Sequence, residues 1–287
     1  MHSGFHHARI LPLLATVCLL GAASSPGIAA DASAWDNDLR SAARLVAARA
    51  RGEAADRVLR AGVEIKLQPG WKTYWRYPGD SGVPPAFDFA ASENAKSVTV
   101  MYPAPTRFAD GAGGHSIGYS GAVILPLRVV PQDAGKPVTL RLKLDYAACE
   151  KLCVPAKAAA ELVLTGGASE HESVLGAAEA RVPKSVAVGD PKAPAIRAIR
   201  RESNGSKSRV VVDVAAPDGA AVDLFAEGPT PQWALPLPAP ISGAPAGLRR
   251  FAFTIDGVPP GEKADGVDIR LTMTAGGQAI EAVHRLD

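Results

Sequence analysis

The sequence predicts an all-β fold of two antiparallel sandwiches, on three observations. Short runs that alternate apolar and polar residues dominate the chain after about residue 60. Clusters of Gly and Pro separate these runs, as turns between strands require. The runs also fall into two sets, on either side of a stretch at 166–194 rich in Ala, Gly, Ser and charge.

Residues 1–30 read as a secretory leader: a mildly basic start (His2, His6, His7, Arg9), an apolar run from Ile10 to Ala23, then small residues at Gly27 and Ala29, or Ile28 and Ala30, suited to a signal peptidase. The apolar run falls short of the roughly 20 residues a membrane helix needs. Cys18 lies within it, is not directly followed by small residues and leaves with the leader, so no lipid anchor is expected. No later segment approaches a membrane span, since Ala122–Val130 is broken by Pro126 and Arg128. The formal net charge of +2 and the lack of a basic tract argue against nucleic acid as a partner. An exported, periplasmic protein in an oxidising space is expected.

Residues 33–60 are Ala-rich and show no clear period, because alanine fits either face; at least an edge strand is expected there. The first set of strands then includes Val63–Leu67, Val98–Tyr102, Ala122–Leu125, Val138–Leu144 and Glu161–Leu164. Turns at Pro69-Gly70, Pro78-Gly79-Asp80, Pro84-Pro85, Gly111 to Gly114 and Gly135 to Pro137 divide them. The stretch 166–194 suits a linker with one short helix around Ser173 to Arg181. The second set runs through Arg209–Val214, Ala221–Phe225, Arg250–Ile255, Val267–Met273 and Ala279–Val283. Two sandwich domains of roughly 100 residues each are expected, at 31–165 and 195–287. Trp233, between Pro231 and Pro236, reads as packed rather than exposed for recognition.

Two cysteines remain after the leader, Cys149 and Cys153, and they carry most of the functional argument. A disulfide needs Cα atoms within about 4.4–6.8 Å, whereas residues i and i+4 of a straight strand lie about 13 Å apart. The chain must turn between them, as a tight hairpin or a helical turn, which places both sulfurs at one end of a sheet. The spacing alone leaves three uses open: redox exchange, a structural bridge or metal binding. A ring this short stabilises by only about 2 kcal/mol, a poor return for a staple. Lys151 and Lys157 favour a thiolate and Glu150 opposes it. His115, His171 and His284 stand at no ligand spacing from the cysteines or from one another, although His115 sits in the glycine-rich loop and two thiolates alone suit Cu(I). No hydrolase or phosphate-binding motif is present.

Several segments in order resemble a known family: Gly62-Val-Glu-Ile-Lys-Leu-Gln-Pro-Gly-Trp71-Lys-Thr-Tyr74-Trp75-Arg-Tyr-Pro-Gly-Asp80, then Tyr102-Pro-Ala-Pro105, Ile117-Gly-Tyr119, Val123-Ile-Leu-Pro126 and Tyr146-x-x-Cys149-x-x-x-Cys153-Val-Pro155. Over about residues 40–165 the chain resembles the N-terminal periplasmic domain of the thiol:disulfide interchange protein DsbD, and especially the ScsB-like form from suppressor-of-copper-sensitivity systems. That resemblance implies an immunoglobulin-like sandwich with a redox-active Cys149/Cys153 pair, of the protein-disulfide reductase type and without a cofactor. It implies that Cys153 forms the mixed disulfide, and that a cap stretch at Phe108–Tyr119 shields the pair through Phe108, His115 or Tyr119, with Tyr74 and Trp75 nearby. It implies as partners a membrane thiol electron donor of the DsbD/CcdA type and periplasmic thioredoxin-like or disulfide isomerase proteins, in cytochrome c maturation or copper tolerance. The cap stretch here is longer and richer in glycine than in typical DsbD. The chain carries neither the multi-span membrane domain nor the C-terminal thioredoxin-like domain of full-length DsbD, so a separate membrane protein is expected to supply electrons. The rivals are a non-catalytic binding module with a structural disulfide and a Cu(I)-binding protein.

Overall fold

The structure, a computed structural model, describes residues 1, 2, 4, 30–52, 57–111, 113–204 and 207–287. The expected leader, with Cys18, falls almost entirely outside this set. Among the described residues no helix is long and apolar enough to cross a membrane.

The first unit is built from β1 (Asp36–Asn37), β2 (Ser41–Arg51), β3 (Val58–Leu67), β4 (Lys72–Gly79), β5 (Ala86–Asp88), β6 (Ala95–Val100), β7 (Thr106–Ala109), β8 (His115–Ser120), β9 (Ala122–Pro131), β10 (Val138–Cys149) and β11 (Cys153–Leu164). Helix α1 (Glu172–Ala180) follows. The second unit holds β12 (Lys184–Ser185), β13 (Ala195–Asn204), β14 (Lys207–Ala215), β15 (Val222–Glu227), β16 (Ala239–Ile241), β17 (Arg249–Thr254), β18 (Asp268–Ala275) and β19 (Gln278–Arg285). This is an all-β, immunoglobulin-like architecture of paired sheets, antiparallel apart from the short β12–β19 pairing.

In the first unit a five-stranded sheet in the order β1-β2-β3-β9-β6 faces a six-stranded sheet in the order β11-β10-β4-β8-β7, with β5 also on β10. Alternation along each strand supplies the core between them. Val138, Leu140, Leu142, Leu144 and Tyr146 of β10 point inward, against Leu59, Ala61, Val63 and Ile65 of β3 and Leu125 and Leu127 of β9. The ambiguous stretch 33–60 yields β2, whose outer side is met by β1 at Ala42 and Ala43, by an antiparallel bridge from Ala32 to Val46 and by the Ala50 amide donating to the Gly166 carbonyl. Arg44 on β2 meets its cross-strand partner Glu64 at 2.7 Å, which helps set the register that alanine leaves undefined.

The stretch 166–194 is docked rather than free. Leu175 of α1 is fully buried. It fits because position 62 on β3 is glycine: a Cβ there would lie 2.9 Å from Leu175 Cδ1 and 2.7 Å from Ile124 Cγ2. Arg60, itself buried, donates to Glu179 of α1 at 2.8 Å and also pairs with Glu172. Farther on, β12 joins the second unit by pairing parallel to β19.

The second unit packs a four-stranded sheet β12-β19-β18-β15 against a four-stranded sheet β13-β14-β17-β16. Val210, Val212, Leu224, Phe251, Phe253, Leu271 and Met273 are among the residues that fill its core. Trp233 is buried there, and its Nε1 donates to Glu262 at 2.6 Å. The two units also touch. Trp75 packs on Phe225 with ring centroids 5.7 Å apart. Arg76 donates twice to Glu227 at 2.8 Å and also pairs with Glu281. Arg107 donates to Asp223 at 2.6 Å and 3.1 Å, and Tyr77 Oη donates to the Leu235 carbonyl.

Two predictions follow from this packing. Leu175→Ala should lower the unfolding free energy by about 2–5 kcal/mol, as for other buried leucines, measured by denaturant unfolding. Asp213 is buried between Arg250 and Arg200, and the hydrogen bond from Arg250, then that from Arg200, hold its carboxyl below the ordinary value of 3.8 against the opposing cost of burial. A depressed folded pKa gives stability that is present above the unfolded value and is lost as pH falls through the folded one. Asp213→Asn should therefore flatten the loss of stability below about pH 4, read from the unfolding midpoint across an acid titration.

Candidate functional site

Cys149 ends β10 and Cys153 begins β11; they are directly opposed in the ladder, and Glu150, Lys151 and Leu152 make the turn. A tight hairpin thus brings the Cα atoms to 4.1 Å, and the sulfurs are joined. The two ends of the bond differ: Cys149 is 7% exposed, whereas Cys153 lies at the surface beside Leu152, which is 78% exposed.

Register decides which side chains gather here. Directly opposed residues of an antiparallel pair share a face, and residues two apart on a strand return to it. Cys149 opposes Lys72 of β4, and Lys72 opposes Ser120 of β8. Tyr74 opposes Gly118, and Phe108 of β7 opposes Ser116. Cys149, Cys153, Lys72, Tyr74, Ser116 and Phe108 accordingly share the outer face of the six-stranded sheet. They line a cleft of about 80 Å³ whose rim includes Ser81, Asp110, Glu150 and Lys151. A space this small excludes a sizeable ligand while covering part of the bond.

Tyr74 makes the closest polar contact. A disulfide sulfur carries no proton, so Tyr74 Oη donates to Cys153 Sγ, at 2.8 Å. Its ring is buried against Gly82, where φ is +134° and a Cβ would lie 2.4 Å from Tyr74 Cε1; only glycine leaves the ring its place. Burial raises the phenol pKa above its usual 10.0, the nearby Ser116 hydroxyl pulls it back, and the Asp110 charge raises it further. Asp110 is held by Gly114 N at 2.9 Å and Ser81 Oγ at 3.2 Å. Phe108 lies under the ammonium of Lys72, 4.7 Å from the ring centroid.

The other residues of interest face elsewhere. Tyr119 has the opposite parity, packs in the core with Ile117 and donates from Oη to the Pro103 carbonyl at 2.8 Å. Burial raises its phenol pKa well above 10.0. His115 opposes Ala109, also with the parity opposite to Phe108, and does not line the cleft. Trp75 is fully buried in the core. Lys157 pairs across the strands with Asp145 at 2.5 Å, which leaves Lys72 and Lys151 as the lysines at the cleft. Sequence reasoning passed over Lys72, Ser81, Asp110 and Gly82. For Lys72 a signal existed: it stands two residues before Tyr74, on the same face of any strand that carries both.

Residues 42–165 match the family described as "Thiol:disulfide interchange protein DsbD, N-terminal". Among solved structures, the crystal structure of the N-terminal periplasmic domain of ScsB from Proteus mirabilis is similar, with a TM-score of 0.67 and 19% identity, covering 89% of this chain and 98% of that one. At that identity the likeness is one of fold, and its coverage takes in both sandwiches. No curated protein sequence matches the chain.

Tyr74→Phe removes the hydroxyl donor at Cys153. Hydrogen bonds to charged groups stabilise by about 1.5–3 kcal/mol, so the Cys153 thiol pKa should rise by about one to two units. The pH dependence of alkylation in the reduced Cys149→Ala background, with and without Tyr74→Phe, measures this shift.

Proposed function

We propose, from residues 42–165 as a domain of the DsbD N-terminal family, that this chain exchanges disulfides with periplasmic partners through Cys149 and Cys153. The observation that carries the reading is the asymmetry of the bond: one sulfur is buried on a rigid sheet and the other lies at its open end beside a hydroxyl donor. Thiol exchange needs in-line access to one sulfur and a leaving group on the other. Cys153 suits the first role and Cys149 the second.

In the reducing direction the Cys153 thiolate attacks a partner disulfide. A partner–Cys153 bond forms, and the partner's other sulfur leaves with the electron pair and takes a proton. The Cys149 thiolate then attacks Cys153 Sγ, closes the internal bond and releases the second partner sulfur. The partner gains two electrons and this chain loses two. A membrane thiol donor of the DsbD/CcdA type reverses these steps to reload the pair, and thioredoxin-like or disulfide isomerase proteins receive the electrons. Tyr74 steadies Cys153 as a thiolate, and Phe108 limits access to the bond by unrelated thiols. The small hairpin ring adds only about 2 kcal/mol of loop-closure stabilisation, which suits a bond that opens without unfolding the sandwich.

Cys149→Ala leaves Cys153 without its resolving partner and should accumulate mixed disulfides in the periplasm, seen as thiol-sensitive bands on non-reducing gels; Cys153→Ala should accumulate far fewer. The parent bond should equilibrate with thiol buffers at a potential above about −300 mV, the range of exchange proteins. A potential below that value, with no trapped species from either variant, would overturn the reading.

A further inference from the structure

We propose that Lys72 is a positioning residue that couples the shielding of the disulfide to its redox state. In the oxidised protein its ammonium holds Phe108 beside the bond; when the bond opens it becomes the counter-charge of the Cys149 thiolate and releases the ring. The inference rests on the exchange reading above and adds to it the control of access.

Three observations meet at Lys72. It is the residue directly opposed to Cys149, so the two side chains leave the same face, with Cβ atoms about 4.5–5.5 Å apart. Its Nζ sits 4.7 Å from the Phe108 ring centroid. The contact that holds this ammonium is the face of a neutral ring rather than a carboxylate. The acidic groups at the cleft are occupied or set aside: Asp110 is held by Gly114 and Ser81, and Glu150 lies in the turn against Gly70. The remaining charged or titratable neighbours are Lys151, also in the turn, and the Tyr74 phenol, which is committed to Cys153. Lys72 is thus a cation resting on a neutral ring next to the sulfur that must leave as an anion.

The reaction changes what that cation prefers. A partner thiolate attacks Cys153 Sγ, a partner–Cys153 bond forms, and the electron pair of the broken bond leaves on Cys149 Sγ. A second thiolate of the same partner dithiol then displaces Cys153, the partner becomes the disulfide, and its two protons pass to solvent or to the new thiols. After the first step a negative charge stands at a buried position. Attraction between full charges across a partly buried gap exceeds that of a cation for an aromatic face. The flexible lysine stem lets Nζ turn from Phe108 toward Cys149. The ring loses its tether once the mixed disulfide has formed, which gives the second thiol of the partner room to reach Cys153.

The test compares Lys72→Met, Lys72→Gln and Lys72→Arg with the parent, each as the full chain, using dithiothreitol and glutathione as probes. At about pH 9, above the ordinary thiol pKa, the two neutral variants should be about tenfold harder to reduce at equilibrium, or about 30 mV more negative. Their alkylation profile for Cys149 should move to higher pH, and the difference in potential should vanish at low pH, where both thiols are protonated. Loss of the charge also makes Cys149 a poorer leaving group, so the tether is read against Phe108→Ala: Lys72→Gln should slow glutathione opening several-fold more in the Phe108→Ala background than in the parent. Lys72→Arg keeps the charge and should restore the parent values. Neutral variants with the parent's potential and pH profile would overturn the counter-charge role, and an equal effect of Lys72→Gln on opening with and without Phe108 would overturn the tether. These readings use small thiols on one bond, so they stand apart from the exchange reading, which falls on the parent's own potential and on the absence of trapped partners.

Discussion

Strand alternation in the sheet β11-β10-β4-β8-β7 is the constraint on which the site depends. Lys72, Tyr74, Phe108, Ser116, Cys149 and Cys153 share one face because their ladder partners place them there. The other face is committed to the core through Trp75, Ile117, Tyr119 and Tyr146. A slip of one residue would exchange the two sets, moving Tyr74 inward and bringing Trp75 to the surface. The buried aromatics therefore do more than fill volume. By fixing the register of β4 and β8, they decide which side chains meet the sulfurs.

The second sandwich braces the same strands. On β4, Lys72 and Tyr74 serve the disulfide, while Arg76 and Tyr77 a few residues later reach Glu227, Glu281 and Leu235. On β7, Phe108 faces the cleft and its neighbour Arg107 grips Asp223. Burial and the carboxylates around Arg76 make that contact a costly one to break: losing one member would leave a partly buried charge without its partner. Both strands that present groups to the sulfurs are thus held at their other residues by the second unit.

Much of this was legible from local pattern. Val138–Leu144 alternates plainly and became β10, the cysteine spacing required a turn and a hairpin formed there, and the short helix expected at Ser173–Arg181 lies at Glu172–Ala180. What sequence did not disclose depends on distant partners. Alanine left residues 33–60 undecided, and β2 takes its register from pairs such as Arg44 with Glu64. The stretch 166–194 reads as a linker by composition, yet Arg60, more than a hundred residues earlier, pins its helix through Glu172 and Glu179. Tyr119 and His115 illustrate parity most sharply. Both lie in the stretch likened to a cap, but they alternate with Ser116, so the strand turns them away from the face that holds Phe108 and the cysteines. Composition and motif order place a residue near a site; only the pairing of β7 with β8 and of β8 with β4 says on which side of the sheet it emerges.

The position of the bond within the sheet bears on whether it acts as a staple or a switch. A staple stabilises most when it joins residues that the unfolded chain keeps far apart. Here the ladder of β10 and β11 already aligns Cys149 with Cys153 at the end of a continuous register that begins at Val138 and Leu164. On its other side β10 has β5 against Lys143–Asp145 and meets β4 only at Cys149, with Thr73 Oγ1 donating to the Ala147 carbonyl at 3.0 Å between them. Backbone pairing therefore holds the two sulfurs in position whether or not they are joined. The bond itself closes only a turn of three residues, and the strands beneath it are joined by the ladder. A covalent link at the end of so continuous a ladder adds little to the fold, and the rigidity around the two sulfurs comes from the sheet rather than from the bond itself.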